Sequence, residues 1–329
     1  MKIAAYIGGL AGLALLVTLF IRADLAAMLH IWRTAGWALL WLIPFRSLYF
    51  LLYALGWLYL LQPYDGEHRA GVAYIFWITT VREAIDRLLP VASVGGGVAG
   101  VRLLRWRGLA AVPVSATVIV EIMLTLVASY LYGVMGFFLL GANSTMGENE
   151  HGLLLAFLIS LPVPVLSVLL LRYGSVFVRL QRFLSPLVGV SDLSESAAAL
   201  DHELRASFAR KRPLLAAGVL QFAALTSASF EIWFALKLFG HPVSVKAALI
   251  LESLTQAVRH VAFIVPAGVG VQEAGLVLFG QALGISAEAA LAVSMAKRLR
   301  EVLCGLPALI SWQLLEARRL RQQPMRNPC

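Results

Sequence analysis

The sequence predicts an all-α polytopic membrane protein, with about six spanning helices plus two broken, re-entrant hairpins arranged as an inverted repeat. Three observations lead there. The 329-residue chain is 60% hydrophobic and only 14% charged, with a mean hydropathy of +0.82, which suits neither a disordered chain nor a soluble domain. Apolar stretches long enough to cross a bilayer recur along it. In two further apolar regions a polar stripe runs into a proline, then clustered glycines, then another apolar arm. Helices broken at corresponding places in two parts of a chain point to a substrate site near the bilayer midplane.

Taken in order, the expected spans are 3–21, 35–61, 109–141, 152–171, 213–239 and 286–312, with the broken segments at 70–107 and 245–284. The alanine-rich run after Asp24 resembles a signal-peptide cleavage site, but the length of 3–21 favours a retained helix. Each broken segment, whether re-entrant or a pair of short spans, returns the chain to the side it came from. The whole reads as one transmembrane domain, 1–329. A first half, 1–171, holds the hairpin 70–107; a connector covers 172–212; a second half, 213–329, holds the hairpin 245–284 and a basic tail. In the connector Leu193, Ala197, Leu200, Leu204 and Phe208 recur at helical spacing, and Asp192 with Glu195 resembles a capping box. It reads as a surface helix joining the halves, or as an interfacial helix that gathers anionic lipid.

Charge sets orientation. Net charge is +9. Arg172, Arg179, Arg182, Arg205, Arg210, Lys211 and Arg212 crowd the connector, and Arg318, Arg319, Arg321 and Arg326 the tail. The loop around Glu148 and Glu150 carries no Lys or Arg. Connector and tail are therefore expected in the cytoplasm, as is the N-terminus. The first hairpin then opens from inside and the second from outside. No basic module stands apart from the apolar spans, so nucleic acid is not an expected partner, whereas anionic membrane lipids are.

The candidate site is a headgroup cavity between the hairpins. Ionisable groups in lipid cost about 2.5–3.5 kcal/mol each on insertion scales, so they should face each other or a wet cavity. Arg82, Glu83, Asp86 and Arg87 offer two i,i+4 pairs, Arg82–Asp86 and Glu83–Arg87. Glu252, Arg259 and His260 repeat the habit with Gln256. The turn residues are Pro90, Gly95, Gly96 and Gly97 in the first hairpin and Pro266, Gly268 and Gly270 in the second. A helix led by glycines offers free N–H groups to an anion, and equally permits a tight turn. Gln272 and Glu273 follow the second turn; an acid there suits the helix dipole or a cavity. Arg102 is either a headgroup ligand or a positive-inside anchor. Arg46, Glu121, Glu231, Arg298 and Glu301 lie deep in apolar runs, where Glu121 and Glu231 are expected to neutralise Arg46 or the arginines of the last helix. These charges line a substrate path or only fix helix packing.

No GxSxG, HExxH, P-loop or CxxC occurs, and the two cysteines, Cys304 and Cys329, have no metal-site spacing. No metal, cofactor or catalytic residue is expected. Asn143-Ser144-Thr145 matches the glycosylation acceptor pattern.

Three strings carry a resemblance: LLPVASVGGGVAGVRLL at 88–104, VPAGVGVQEAGLVLFGQALG at 265–284 and AKRLREVLCGLPALISW at 296–312. With them the chain resembles the lysylphosphatidylglycerol synthase transmembrane, or flippase-like, family, and its branch associated with hopanoid biosynthesis. The resemblance implies a polytopic inner-membrane domain, lipid translocation and a link to hopanoid lipids. Gly97 stands where the family often has an acid, so a role for that acid does not transfer. The chain ends soon after its last helix, so the aminoacyl-transferase activity in the family name does not transfer either. The expected function is translocation of a lipid with a polar, anionic or hopanoid-related headgroup by alternating access. The alternatives are an embedded enzyme acting on a polyprenyl or hopanoid lipid, with Glu83, Asp86 and His260 as acid–base groups, and a scaffold for lipid-synthesis enzymes.

Overall fold

The computed structural model describes residues 35–88, 95–141, 148–179, 193–261 and 268–322, with Thr18, Trp32, Arg33 and Val265. The expected span 3–21, the acceptor pattern at 143–145, Asp192 of the expected capping box, Pro90 and Pro266 lie outside these residues. Every regular element among the described residues is helical.

A 3-10 turn, Gly36–Trp41, leads into α1, Leu42–Leu61. The first hairpin is α2, Val72–Leu88, and α3, Gly95–Arg105. Then come α4, Ala111–Gly141, and a broken span made of α5, Glu148–Ser160, and α6, Pro162–Tyr173. The break falls where Pro162 and Pro164 withhold backbone donors from a continuing helix. The connecting helix is α7, Leu193–Ala209. After it come α8, Lys211–Leu238, the second hairpin of α9, Val245–Val261, and α10, Val271–Ala282, and finally α11, Ala287–Gln322.

Among the described residues four stretches are long and apolar enough to cross a membrane: Gly36–Tyr64, Ala111–Gly141, Leu154–Tyr173 and Lys211–Leu238. They match the expectations at 35–61, 109–141, 152–171 and 213–239. The expected span 286–312 lies inside α11, which is 36 residues long. Lys297, Arg298, Arg300 and Glu301 interrupt its apolar run. The outer surface is what lipid requires: Trp37 is 88% exposed and Phe138 75%, with Leu155, Ile159 and Leu215 also bare. Inside the same bundle Glu121 and Glu231 are almost wholly buried, at 0% and 1%. Apolar outside and charged inside reverses the soluble pattern.

The helices pair reciprocally. α1 lies antiparallel along α8: Phe45 packs on Phe234 at one end, and Gly56 faces Ala217 at the other. α2 lies antiparallel along α11, where Trp77 Nε1 donates to Ser311 Oγ at 2.9 Å and Gly305 faces Ala84 and Leu88. α4 lies along α9 in the same sense, with Gly133 against Ala257 and Gly136 against Ser253. Each hairpin's first arm thus packs on the helix that follows the other hairpin. The apolar core is split to match. One cluster surrounds the first hairpin, with Trp57, Ile75, Ile78, Leu103 and Leu104; another surrounds the second, with Leu251, Leu254, Leu276, Phe279 and Val293.

α7 docks on the bundle through Leu204 and Phe208, both buried in the first cluster. Asp201 accepts the backbone N–H groups of Phe177 and Val178 at 3.2 and 3.0 Å, and Glu203 accepts the Tyr64 hydroxyl at 2.8 Å. The connector is a packed part of the fold.

Candidate functional site

Consecutive helical residues point about 100° apart, so Arg82 and Glu83 send their charges to different neighbours. Arg82 reaches α4 and donates to Glu121 Oε2 at 2.6 Å. Its guanidinium lies 4.4 Å from the centre of the Trp57 ring, whose N–H donates to Thr117 at 3.2 Å. Glu83 faces α1. Its carboxylate accepts from Arg46, and from Arg87 Nε at 3.1 Å. Of the two expected pairs within α2, Glu83–Arg87 is present. Arg82–Asp86 is absent, because Arg82 is taken by Glu121 and Asp86 by the next helix.

Asp86 accepts the backbone N–H of Gly96 at 2.9 Å, so α2 caps α3. The approach is close: a Cβ on Gly96 would lie 2.5 Å from Asp86 Oδ2 and 2.6 Å from the Arg82 carbonyl oxygen. This overturns the expectation of a free anion site at that N–H. Gly95 and Gly97 complete the same first turn. The second hairpin solves its turn the same way from within. Gly270 holds φ +78, and its N–H donates to Glu273 Oε2 at 2.8 Å. The other oxygen of Glu273 accepts from Ser294 at 2.8 Å and lies 3.4 Å from Arg298. Glu273 is therefore a cap and a tie between α10 and α11 rather than an open cavity acid.

The remaining intramembrane charges pair across helices. Lys297 donates to Glu252 at 2.7 Å. Arg300 Nε lies 2.9 Å from Glu231 Oε1, and Arg298 reaches Glu301 at 3.4 Å. Glu231 thus neutralises a last-helix arginine, as expected, while Glu121 serves Arg82 instead of Arg46. Gln272 reaches Ser294 at 3.4 Å, and Arg259, beside Gly268, reaches Gln256 at 3.4 Å. His260 bonds through Nδ1 to the Gln256 carbonyl oxygen at 2.7 Å and stands edge-on to Tyr130, a packing role. Arg102 is exposed and pairs with Glu316, away from the other charges.

One cavity brings site residues together. Arg46 and Phe50 of α1, Thr80, Glu83, Ala84 and Arg87 of α2, and Arg300, Glu301, Cys304 and Gly305 of α11 line it. Arg46 is 7% exposed, lies 4.0 Å from the centre of the Tyr49 ring, and leaves Nε without a hydrogen-bond partner. The expected set divides in three. Arg46, Glu83, Arg87 and Glu301 meet at the cavity. Arg82 with Glu121, and Glu252, Glu273, Gln272 and Arg298 with their partners, are packing networks. Arg259 joins the Glu252 network through Gln256, Glu231 is held by Arg300, and Arg102 stands apart with Glu316. Sequence reasoning left Arg300 and Cys304 out of the candidate site and did not pair Lys297 with Glu252. The signal was present: Lys297, Glu301 and Gly305 recur at i,i+4, as do Arg300 and Cys304, and mark the inward side of α11. Among the described residues no group of His, Cys, Asp and Glu is placed to hold a metal ion.

No curated protein and no solved structure matches the chain. The family model described as the lysylphosphatidylglycerol synthase TM region matches residues 5–307, which is most of its length. The chain is a membrane protein with a buried, arginine-lined cavity among broken helices, and it belongs to the lysylphosphatidylglycerol synthase transmembrane family.

Proposed function

We propose that the protein translocates a polar-headgroup lipid across a bacterial inner membrane by alternating access. The observation that carries this reading is the charged cavity, which lies between helices from before and after the connector, α1 and α2 on one side and α11 on the other. The headgroup occupies this cavity while the acyl or hopanoid tail remains among the lipids.

The moving parts are two halves related as an inverted repeat. Reciprocal packing supports this reading, since α1 and α8 are antiparallel counterparts and each hairpin is clasped by the other half. The ion pairs support it too. Arg46–Glu83 and Arg82–Glu121 lie within the first half, and Lys297–Glu252 and Arg300–Glu231 within the second. These four buried pairs each lie within one half, so rocking one half against the other need not break them. The basic connector and tail hold both termini on the cytoplasmic side.

Reconstitution tests the reading. Vesicles containing the protein should invert labelled polar lipids faster than protein-free vesicles do. Rates no faster than in protein-free vesicles for phospholipids, glycolipids and hopanoid lipids alike would refute translocation. A change in lipid mass without a change in sidedness would replace it with an enzyme.

A further inference from the structure

We infer that the seam between α3 and α11 is a latch, an ionic contact that holds the bundle shut at the end carrying the basic tail. The inference rests on the translocation reading for what the latch serves. Its place in the fold rests on the contacts of the seam itself.

Arg46–Glu83 and Arg82–Glu121 join helices of the first half, and Lys297–Glu252 and Arg300–Glu231 join helices of the second. Arg102–Glu316 is of another kind. It crosses from the first hairpin to the last helix of the second half, and the Arg102 side chain is 58% exposed. Parting a buried pair strands a charge where water does not reach. Parting an exposed pair costs little, because water replaces the partner. A contact that opens and closes in every cycle needs the second kind.

The seam runs outward from the cavity. Gly305, which lines the cavity, faces Ala84 and Leu88 of α2. Farther along α11, Ser311 accepts from Trp77 Nε1 at 2.9 Å, and Leu309 and Trp312 pack on the first hairpin's apolar cluster. Then Glu316 takes Arg102, and the Arg319 guanidinium lies 5.1 Å from the centre of the Trp106 ring. Glu316 and Arg319 share one side of α11, as Arg102 and Trp106 share one side at the end of α3. The inner contacts are apolar touches and one neutral hydrogen bond. The charged contacts stand at the wet outer end, where α11 runs into Arg318, Arg319 and Arg321. Releasing them lets α11 part from the hairpin with no buried pair broken.

Cys304 is a natural reporter, because it lines the cavity and Cys329 is the only other cysteine. It lies twelve residues before Glu316, roughly 18 Å along α11, so the latch reaches it through movement and not through contact. The experiment times alkylation of Cys304 by a water-soluble maleimide in full-length C329S protein in vesicles. R102Q and E316Q should speed alkylation, by up to about fivefold, the range of an exposed pair. The charge swap R102E/E316R should return the rate to that of the parent. R69Q, which removes an arginine from an exposed loop pair, should leave it unchanged. Raised salt should speed alkylation in the parent and not in R102Q, because screening weakens an exposed pair. Hydrogen exchange of residues 95–107 and 308–319 gives a second reading. Protection there should fall in R102Q and return in the swap.

A swap that alkylates as fast as R102Q would overturn the latch, since the pairing of charges would not be the cause. Equal rates in every variant would overturn it too. Should Cys304 react in none of them, exchange decides, and unchanged protection in R102Q overturns the latch. Alkylation that follows the latch without headgroup inversion in the same vesicles would uphold the latch and sink translocation. Inversion with alkylation indifferent to both charges would do the reverse.

Discussion

Arg82 donates to Glu121 across α2 and α4 at 2.6 Å, and Glu121 is wholly buried. This pair ties the first hairpin to the span that follows it. Removing one partner leaves the other charge uncompensated where water does not reach. E121A should therefore destabilise the protein by about 3–5 kcal/mol, while the double variant R82M/E121M recovers most of the loss. Thermal unfolding in one detergent, read for both variants, checks this. A double variant no more stable than E121A would show that the pair is not the source of the loss.

The hairpin turn supplies a second prediction. Asp86 caps α3 through the Gly96 N–H, so D86A should cost about 1 kcal/mol, the usual worth of a lost cap. G96A should cost more. Its Cβ would meet the Arg82 carbonyl oxygen at 2.6 Å, a backbone atom that cannot swing aside. The order of the two unfolding temperatures is the measurement, and D86A melting below G96A would contradict the close approach.

Exposure separates two ion pairs of similar appearance. Lys297–Glu252 is buried, whereas Arg102 is largely exposed beside Glu316. K297M should cost about 3–5 kcal/mol, because Glu252 stays behind without its partner. R102Q should cost about 0–1 kcal/mol, as exposed pairs do. Chemical unfolding of both variants tests the difference. Equal losses would mean that Arg102 sits in a less wet place than its exposure indicates.

Much of this was legible in the sequence. Apolar length located the spans from Gly36 to Tyr64 and from Ala111 to Gly141, because hydropathy alone specifies a lipid-facing helix. Pro and Gly clusters located both hairpins, because they interrupt helices whatever the partners are. Partner choice was not legible. Arg82 has Asp86 one turn away in sequence, yet bonds to Glu121, thirty-nine positions distant. The spacing along one helix is silent about the neighbouring one. For the same reason Cys304 carries no signal as a cavity residue until α11 lies against α2. At the first glycine run the Gly96 N–H already donates to Asp86, and in the second hairpin the Gly270 N–H already donates to Glu273. An N-terminus offers a site only if the fold leaves it open.

The central claim is that lipid crosses because α11 moves against α2. Ala84 and Gly305 face each other there, and a Cβ on Gly305 would lie 3.2 Å from that of Ala84. That is short of the usual disulfide spacing of about 3.5–4.5 Å, and Leu88 Cδ1 would lie at 2.7 Å, so the pair A84C/G305C closes once the Leu88 side chain turns aside and the helices part slightly. The decisive measurement is headgroup inversion of acyl-labelled phosphatidylglycerol in vesicles holding this variant, with Cys304 and Cys329 replaced by serine, before and after reduction. Inversion should stop in the oxidised protein and return on reduction. Unchanged inversion across a fully formed disulfide would contradict alternating access at this contact.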